Sequence, residues 1–136
     1  MGSDMMKVNT YTHLYTDNVN ASRNFFTKIG LKIKDDYSNE QGFCVEFNKN
    51  TYLMVLEKSH FQSFHPELKL TQKDVHSSFI SIEVKSIEQV DQFMEKVLKN
   101  GGIETEKASD DEWVYYRSFK DLDLHQFEVF YMKRKD

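Results

Sequence analysis

The sequence predicts an α+β fold built from two tandem βαβββ modules, and two observations carry that prediction. Residues 8–57 and 79–132 each read as a strand, a helix and then three strands. Each helical stretch also runs into glycine directly before the next strand. Residues 20–29 lead to Gly30 and Leu31, and residues 87–100 lead to Gly101, Gly102 and Ile103. A fold of two such units usually places its site between them, so the repeat also says where function is to be sought.

The elements follow in order. Residues 8–16 alternate and are rich in Thr and Tyr, which suits a strand. Asp17 and Asn18 can start a helix, and Ala21, Phe25, Phe26 and Ile29 fall on one face of it. Residues 31–37 read as a second strand, ended by Ser38-Asn39-Glu40-Gln41-Gly42. Residues 43–47 and 52–57 form a hairpin about Asn48-Lys49-Asn50, with Thr51 in either the turn or the strand. Residues 58–77 connect the halves. Within them Ser59 to Phe64 can form a short helix ahead of Pro66, the only proline. A connector of this length either covers or borders a pocket, or is a plain linker.

The second half restarts with a strand over residues 79–85. Ile80, Ile82 and Val84 take one face, and Phe79, Ser81 and Glu83 the other. Ser86 and Gln89 have capping-box spacing. Val90, Phe93, Met94, Val97 and Leu98 then form an apolar helical stripe that belongs to a core. Strands over 103–107, 113–119 and 125–132 complete the module, with Asp121-Leu122-Asp123-Leu124 as the last turn. The resulting division is a start at 1–6, modules at 7–57 and 79–132, a connector at 58–78 and a basic tail at 133–136, all in one compact domain.

Composition narrows the function classes. Lys plus Arg total 18 against 22 Asp plus Glu, a net charge of −4. Without a concentrated basic face, nucleic acid and anionic membrane are not expected partners. Lys133-Arg134-Lys135 reads as a solvated tail. Hydrophobic residues at 39% and aromatics at 14% supply a core and argue against disorder. The single cysteine, Cys44, cannot form an internal disulfide, which fits a reducing cytoplasm. Its place in the alternating stretch 42–47 favours a buried apolar role over a nucleophile. No stretch approaches the roughly 18 continuous apolar residues of a membrane helix. No signal peptide is evident, and Met1-Gly2-Ser3-Asp4 reads as an added leader with the natural start at Met5 or Met6.

Two βαβββ units in tandem, an Asp-x-Asp turn and a following strand bearing Glu together resemble the vicinal oxygen chelate superfamily. That group includes glyoxalase I, extradiol dioxygenases, fosfomycin-modifying enzymes and bleomycin-resistance proteins. The resemblance covers residues 7–132. It is carried by NVNASRNFFTKIGL at 18–31, by residues 83–102 and by RSFKDLDLHQFEVFYM at 117–132, which looks like bacterial glyoxalase-like proteins. It implies a curved, cup-shaped mixed sheet around a central cavity, helices outside, and a homodimer.

In the metal-dependent members of that superfamily, ligands stand on the first and fourth strands of each unit: His or Glu, Glu, His or Gln, and Glu. A divalent ion held this way keeps open positions for two neighbouring substrate oxygens. The matching positions here are Tyr11, about Met54, Phe79 and Glu128. Only Glu128 is an ordinary ligand, since Met and Phe do not suit a hard cation. The expectation is therefore no metal cofactor, with a fallback divalent site made of His13, Glu83 and Glu128. His13 follows Tyr11 by two residues on the same strand face, and Glu83 shares the face of Phe79. Otherwise His13 hydrogen-bonds within the pocket and Glu83 lies in water. His60, His65, His76 and His125 are expected to be exposed.

Glu128 pointing into an apolar cup with Tyr11, Met54 and Phe79 would have its pKa raised by desolvation, which makes it a candidate acid, base or ligand anchor. The alternative is an ion pair with Arg117 or a lysine. Arg117 could instead bind an anionic group of a ligand, and strand alternation leaves its direction open. Three functions follow. The leading one is metal-independent binding of a small apolar or aromatic molecule by Tyr11, His13, Tyr52, Met54, Phe79, Ser81, Arg117 and Glu128. The second is a lyase or dioxygenase-like oxidoreductase using the shifted metal site, or Glu128 as base without a metal. The third is a non-catalytic interaction protein whose cup is filled by its own side chains.

Overall fold

The computed structural model describes residues 5–68, 70 and 78–133. Most of the leader, His76 and the end of the basic tail lie outside them. The elements are β1 (Thr10–Thr16), α1 (Val19–Lys28), β2 (Lys32–Ile33), a 3-10 turn (Asp35–Tyr37), β3 (Gly42–Asn48), β4 (Thr51–Glu57) and α2 (Lys58–Phe64). There follow β5 (Phe79–Glu83), α3 (Ile87–Lys99), β6 (Ile103–Glu104), β7 (Ser109–Asp110), β8 (Val114–Lys120) and β9 (Gln126–Met132). The first sheet has the order β1-β4-β3-β2 and the second β5-β9-β8-β6, with β7 added on β8. In both, the first strand of the module runs parallel to the last, β1 with β4 and β5 with β9.

Local chemistry accounts for both long helices. Asn18 caps α1 by accepting the Ala21 N–H at 3.0 Å, and Ser86 caps α3 by accepting the Gln89 N–H at 3.1 Å. Gln89 completes the capping box by accepting from the backbone of Lys85. Both helices end in a Schellman turn, with Gly30 at φ 103° and Gly101 at φ 101°. The closing bonds run from Leu31 N to Phe26 O and from Gly102 N to Val97 O. This left-handed backbone disfavours any side chain with a Cβ, hence glycine at the matching place of each module.

The second strand is shorter than expected. Pairing with β3 stops at Ile33, and Asp35 to Tyr37 tighten into a 3-10 turn closed by Tyr37 N to Lys34 O. Leu31 and Ile33 are the last residues of this run to pack on the core, so nothing draws the polar continuation into the sheet. Likewise the strand expected at 103–107 is only Ile103–Glu104, and β7 forms beyond it.

The two sheets are separate, not closed into one cup. They share a core made from their helix-side faces: Leu14, Phe43, Val45, Leu53 and Val55 from the first, and Phe119, Phe127 and Val129 from the second. α1 and α3 supply Phe25, Phe26, Ile29, Val90, Met94 and Val97 to the same cluster. Phe26 joins the halves. It is fully buried, with its ring centroid 5.9 Å from that of Phe43 and 5.8 Å from that of Phe127. Phe127 in turn stacks on Phe119 at 5.1 Å.

A polar clamp joins the halves at the turn before β9. Asp121 Oδ1 accepts the backbone N–H groups of Asp123 and His125 at 3.0 and 2.8 Å. Asp123 Oδ1 accepts the Asp17 N–H of the first module at 2.9 Å. His125 Nε2 lies 2.7 Å from the Tyr15 carbonyl oxygen, so this nitrogen carries a hydrogen and donates it. His125 is thus buried, at 3% exposure, where the sequence led us to expect exposure. The apolar contacts of its ring with Tyr15 and its bond to β1 explain the difference. Leu124 in this turn has φ 67°, the one non-glycine positive φ among the described residues.

Two predictions follow from this core and clamp. Phe26→Ala should destabilise the protein by about 3–5 kcal/mol, the usual loss for a fully buried phenylalanine. Because Phe26 touches both modules, denaturant unfolding of the variant should stay a single transition at lower midpoint. Two separated transitions would contradict the shared core. The second concerns Asp121, which is almost completely buried. Desolvation pushes its carboxyl up to about 7, against the pull of the His125 and Asp123 N–H bonds. A carboxyl whose pKa is raised on folding contributes stability below its ordinary range, and that contribution is lost as pH rises through about 7. Asp121→Asn should therefore remove a fall in thermal midpoint between about pH 4 and 7, measured as the difference between the two melting profiles across that range.

Candidate functional site

Strand alternation decides which side chains leave the core. On β1 and β4 the register places Tyr11 beside Tyr52, His13 beside Met54 and Tyr15 beside Leu56. These residues line the face opposite the helix-side core. On β5 and β9, Ser81 stands beside Glu128, on the corresponding face of the second sheet. The predicted residues therefore fall into two groups, Tyr11, His13, Tyr52 and Met54 on one sheet and Phe79, Ser81 and Glu128 on the other.

The first face is roofed by α2. Glu57 caps this short helix by accepting the His60 N–H at 3.2 Å. Phe61 anchors it, buried against Tyr15 with ring centroids 5.8 Å apart and packed with Leu56. The helix end carries His65 over the sheet, where its Nε2 lies 3.0 Å from His13 Nδ1. One of these nitrogens donates and the other accepts. Burial and then the neighbouring His65 imidazole hold the His13 pKa below the usual histidine range.

Between roof and sheet lies a pocket of about 450 Å³. Its floor is His13, Met54 and Leu56. His60, Phe64 and His65 form the α2 wall, and Tyr37, Asn39 and Gly42 the wall opposite. The volume and the largely apolar, aromatic lining suit a small organic molecule. Cys44, paired with Met54 in the sheet, is fully buried, and burial pushes its thiol pKa up. At the open end Tyr11 stacks on Tyr52 at 4.7 Å, and the Tyr52 hydroxyl donates to the Lys49 carbonyl.

The second face holds a more open hollow of about 480 Å³ lined by Ser81, Trp113, Val114, Tyr116, Glu128, Phe130 and Met132. Ser81 Oγ donates to Glu128 Oε2 at 2.7 Å. Phe79 is exposed at the start of β5. Glu83 borders a different hollow, of about 600 Å³, together with Thr12, Leu31, Phe47 and Ile80. A larger hollow of about 910 Å³ at the start of α1 has polar walls, among them Asp17, Asp35, Glu40 and Glu57, and stands apart from these faces.

Arg117 belongs to neither face. It points to the helix side, where it grips Glu104 with Nε at 2.9 Å and Nη2 at 2.8 Å. Its Nη1 donates to Asp91 of α3 at 3.0 Å, and the Tyr115 hydroxyl donates to the same carboxylate oxygen. These bonds, the Glu104 pair foremost, push the Arg117 pKa up. Arg117 thus neither pairs with Glu128 nor reaches a pocket. It ties α3 and β6 to β8.

The metal expectations divide in the same way. Tyr11, Met54, Phe79 and Glu128 are a poor donor set for a hard cation: Met54 offers only a thioether, Phe79 has no donor atom, and the four are divided between the two sheets. The fallback trio His13, Glu83 and Glu128 is not assembled within the chain. Among the described residues no three His, Cys, Asp or Glu side chains form a group that could hold a metal ion.

His60 and His65, like His125, are residues the sequence placed wrongly. Both were expected to be exposed, yet both are half-buried and line the pocket. The connector's length pointed to pocket-covering as one of two options, but nothing in its pattern showed which sheet face it would cross. Tyr37, Phe64 and Trp113 were likewise missed as lining, because they lie in or beside turns and a helix end without strand periodicity.

No protein-family model matches the chain, and no curated protein does. Solved structures match over nearly the full length. Hypothetical protein SA1046 from S. aureus superposes with a TM-score of 0.79 at 24% identity, over 95% of this chain and 96% of that one. A glyoxalase/bleomycin resistance protein/dioxygenase family enzyme from Burkholderia phytofirmans PsJN gives a TM-score of 0.77 at 10% identity, over 90% and 96%. The fosfomycin resistance protein FosX from Mesorhizobium loti gives 0.67 at 12% identity, over 93% of each chain. The chain has the vicinal oxygen chelate fold, the one carried by these glyoxalase/bleomycin resistance/dioxygenase proteins and FosX.

Proposed function

We propose that the protein binds a small apolar or aromatic molecule in the pocket beneath α2, and does so without a metal at the superfamily's usual ligand positions. The observation that carries this reading is the roofed, mainly apolar pocket of about 450 Å³ over His13 and Met54. The residues Tyr11, Met54, Phe79 and Glu128 support the metal-free part, since Met54 and Phe79 do not suit a hard cation and only Glu128 is an ordinary ligand.

A catalytic reading has one observation in its favour. Glu128 faces the second hollow with a hydroxyl donor, Ser81, on one of its oxygens. That arrangement leaves the other oxygen to meet a proton of a bound molecule, as a general base would. Two copies pair in our reading: Tyr11, Phe79 and Trp113 are exposed beside the sheet faces, apolar surface that a partner copy would cover.

The pocket reading is tested with a neutral fluorescent aromatic, N-phenyl-1-naphthylamine. It should bind the wild-type protein saturably. Met54→Trp, which enlarges the floor side chain into the pocket, should weaken that binding at least tenfold while leaving the circular dichroism spectrum unchanged. Equal binding by the two proteins would place the probe elsewhere and overturn the assignment.

A further inference from the structure

The pocket's described lining is rich in imidazole. It includes His13, His60 and His65 together with Tyr37 and Asn39, and no carboxylate is among the described lining residues. That is notable in a chain with 22 acidic residues and a net charge of −4. The remaining walls, Met54, Leu56 and Phe64, are apolar. Lys34 stands behind one wall, its ammonium 5.0 Å from the Tyr37 ring centre, and Glu57 and Lys58 lie at the start of α2. Glu57 is occupied by Ser59 and the His60 N–H, and the Lys58 ammonium lies over the Tyr15 ring.

The contact between His13 Nδ1 and His65 Nε2 sets what such a pocket prefers. At 3.0 Å the two nitrogens share one hydrogen. A proton taken up at the far nitrogen of the donor ring keeps this bond and makes the pair positively charged. A carboxylate supplies the matching charge and the lone pairs for the N–H groups that the pair does not use on itself. Resting on the pocket reading above, we infer that the ligand is an aromatic or flat apolar carboxylic acid, its carboxylate beside the His13–His65 pair and its apolar body against Met54, Leu56 and Phe64.

Binding such an anion takes up a proton at the imidazole pair. The carboxylate favours imidazolium and so works against the burial that lowers the His13 pKa in the free protein. The affinity therefore rises as pH falls through the bound-state pKa, by at most about tenfold per pH unit for one proton, and levels off below the free-state pKa.

The test compares 2-naphthoate with the neutral 2-naphthamide by titration calorimetry between pH 8 and pH 5.5, in buffers of different ionisation heat. The two probes share shape and apolar area and differ in the carboxylate. We expect naphthoate to bind at least tenfold more tightly than the amide at the acid end, with proton uptake, and the amide to show no pH dependence. His13→Asn, at an exposed strand position, and His65→Asn, half-buried beyond the end of α2, should each keep the fold and bring naphthoate down to the affinity of the amide. If the amide binds and naphthoate gains nothing at low pH, the acid assignment is wrong while the pocket stands. If the histidine variants keep the preference for naphthoate, the carboxylate lies elsewhere and the inference fails. If neither probe binds, both the inference and the pocket reading are overturned.

Discussion

Everything in this molecule depends on the burial of Phe26 between two modules. Its ring reaches Phe43 of the first sheet and Phe127 of the second, so neither module completes its core alone. Each sheet is hydrophobic on the side that meets the helices, and a layer must cover that side. The two modules cover one another, and α1 and α3 share the same cluster. The price of that arrangement is that the other face of each sheet is left outward. Those outward faces are where pockets form and where chemistry would take place.

Polar interactions refine this core without defining it. The Asp121 turn is the most demanding of them, since it places a carboxyl in a site with almost no solvent and asks it to organise two backbone N–H groups. The neighbouring Asp123 and His125 then fasten the turn to the β1–α1 junction of the first module. Arg117 plays a comparable part on the far side, where Glu104 and Asp91 hold its guanidinium in a fixed plane. A partly exposed network of this kind contributes more to position than to net stability, because screening by water offsets much of the attraction.

A fold of this kind can host several chemistries, so the fold alone does not choose among them. What distinguishes this chain is the use of its connector. Phe61 docks α2 on Tyr15 and Leu56, and the helix brings imidazoles to a sheet that has only His13 of its own. The pocket is thus made partly by the module and partly by the segment that leaves it. In consequence two of its three imidazoles, His60 and His65, come from outside the repeat.

Much of the fold was legible in the sequence, because its signals are local. The 3.6-residue spacing of Phe25, Phe26 and Ile29, the cap residues Asn18 and Ser86, and the glycines at left-handed φ act within a few residues of the chain, and each appears as the sequence implied. Strand alternation likewise put Tyr11 with His13 and Phe79 with Ser81 on common strand faces, but the single lining expected of them with Tyr52, Met54 and Glu128 is divided between two sheets. Three things were decided only in tertiary structure. They are the direction of Arg117, the burial of His125, and the meeting of His13 with His65 across 52 residues of chain. Each depends on how two separately formed elements pack, and a side chain's surroundings across such a contact leave no trace in the periodicity of either one.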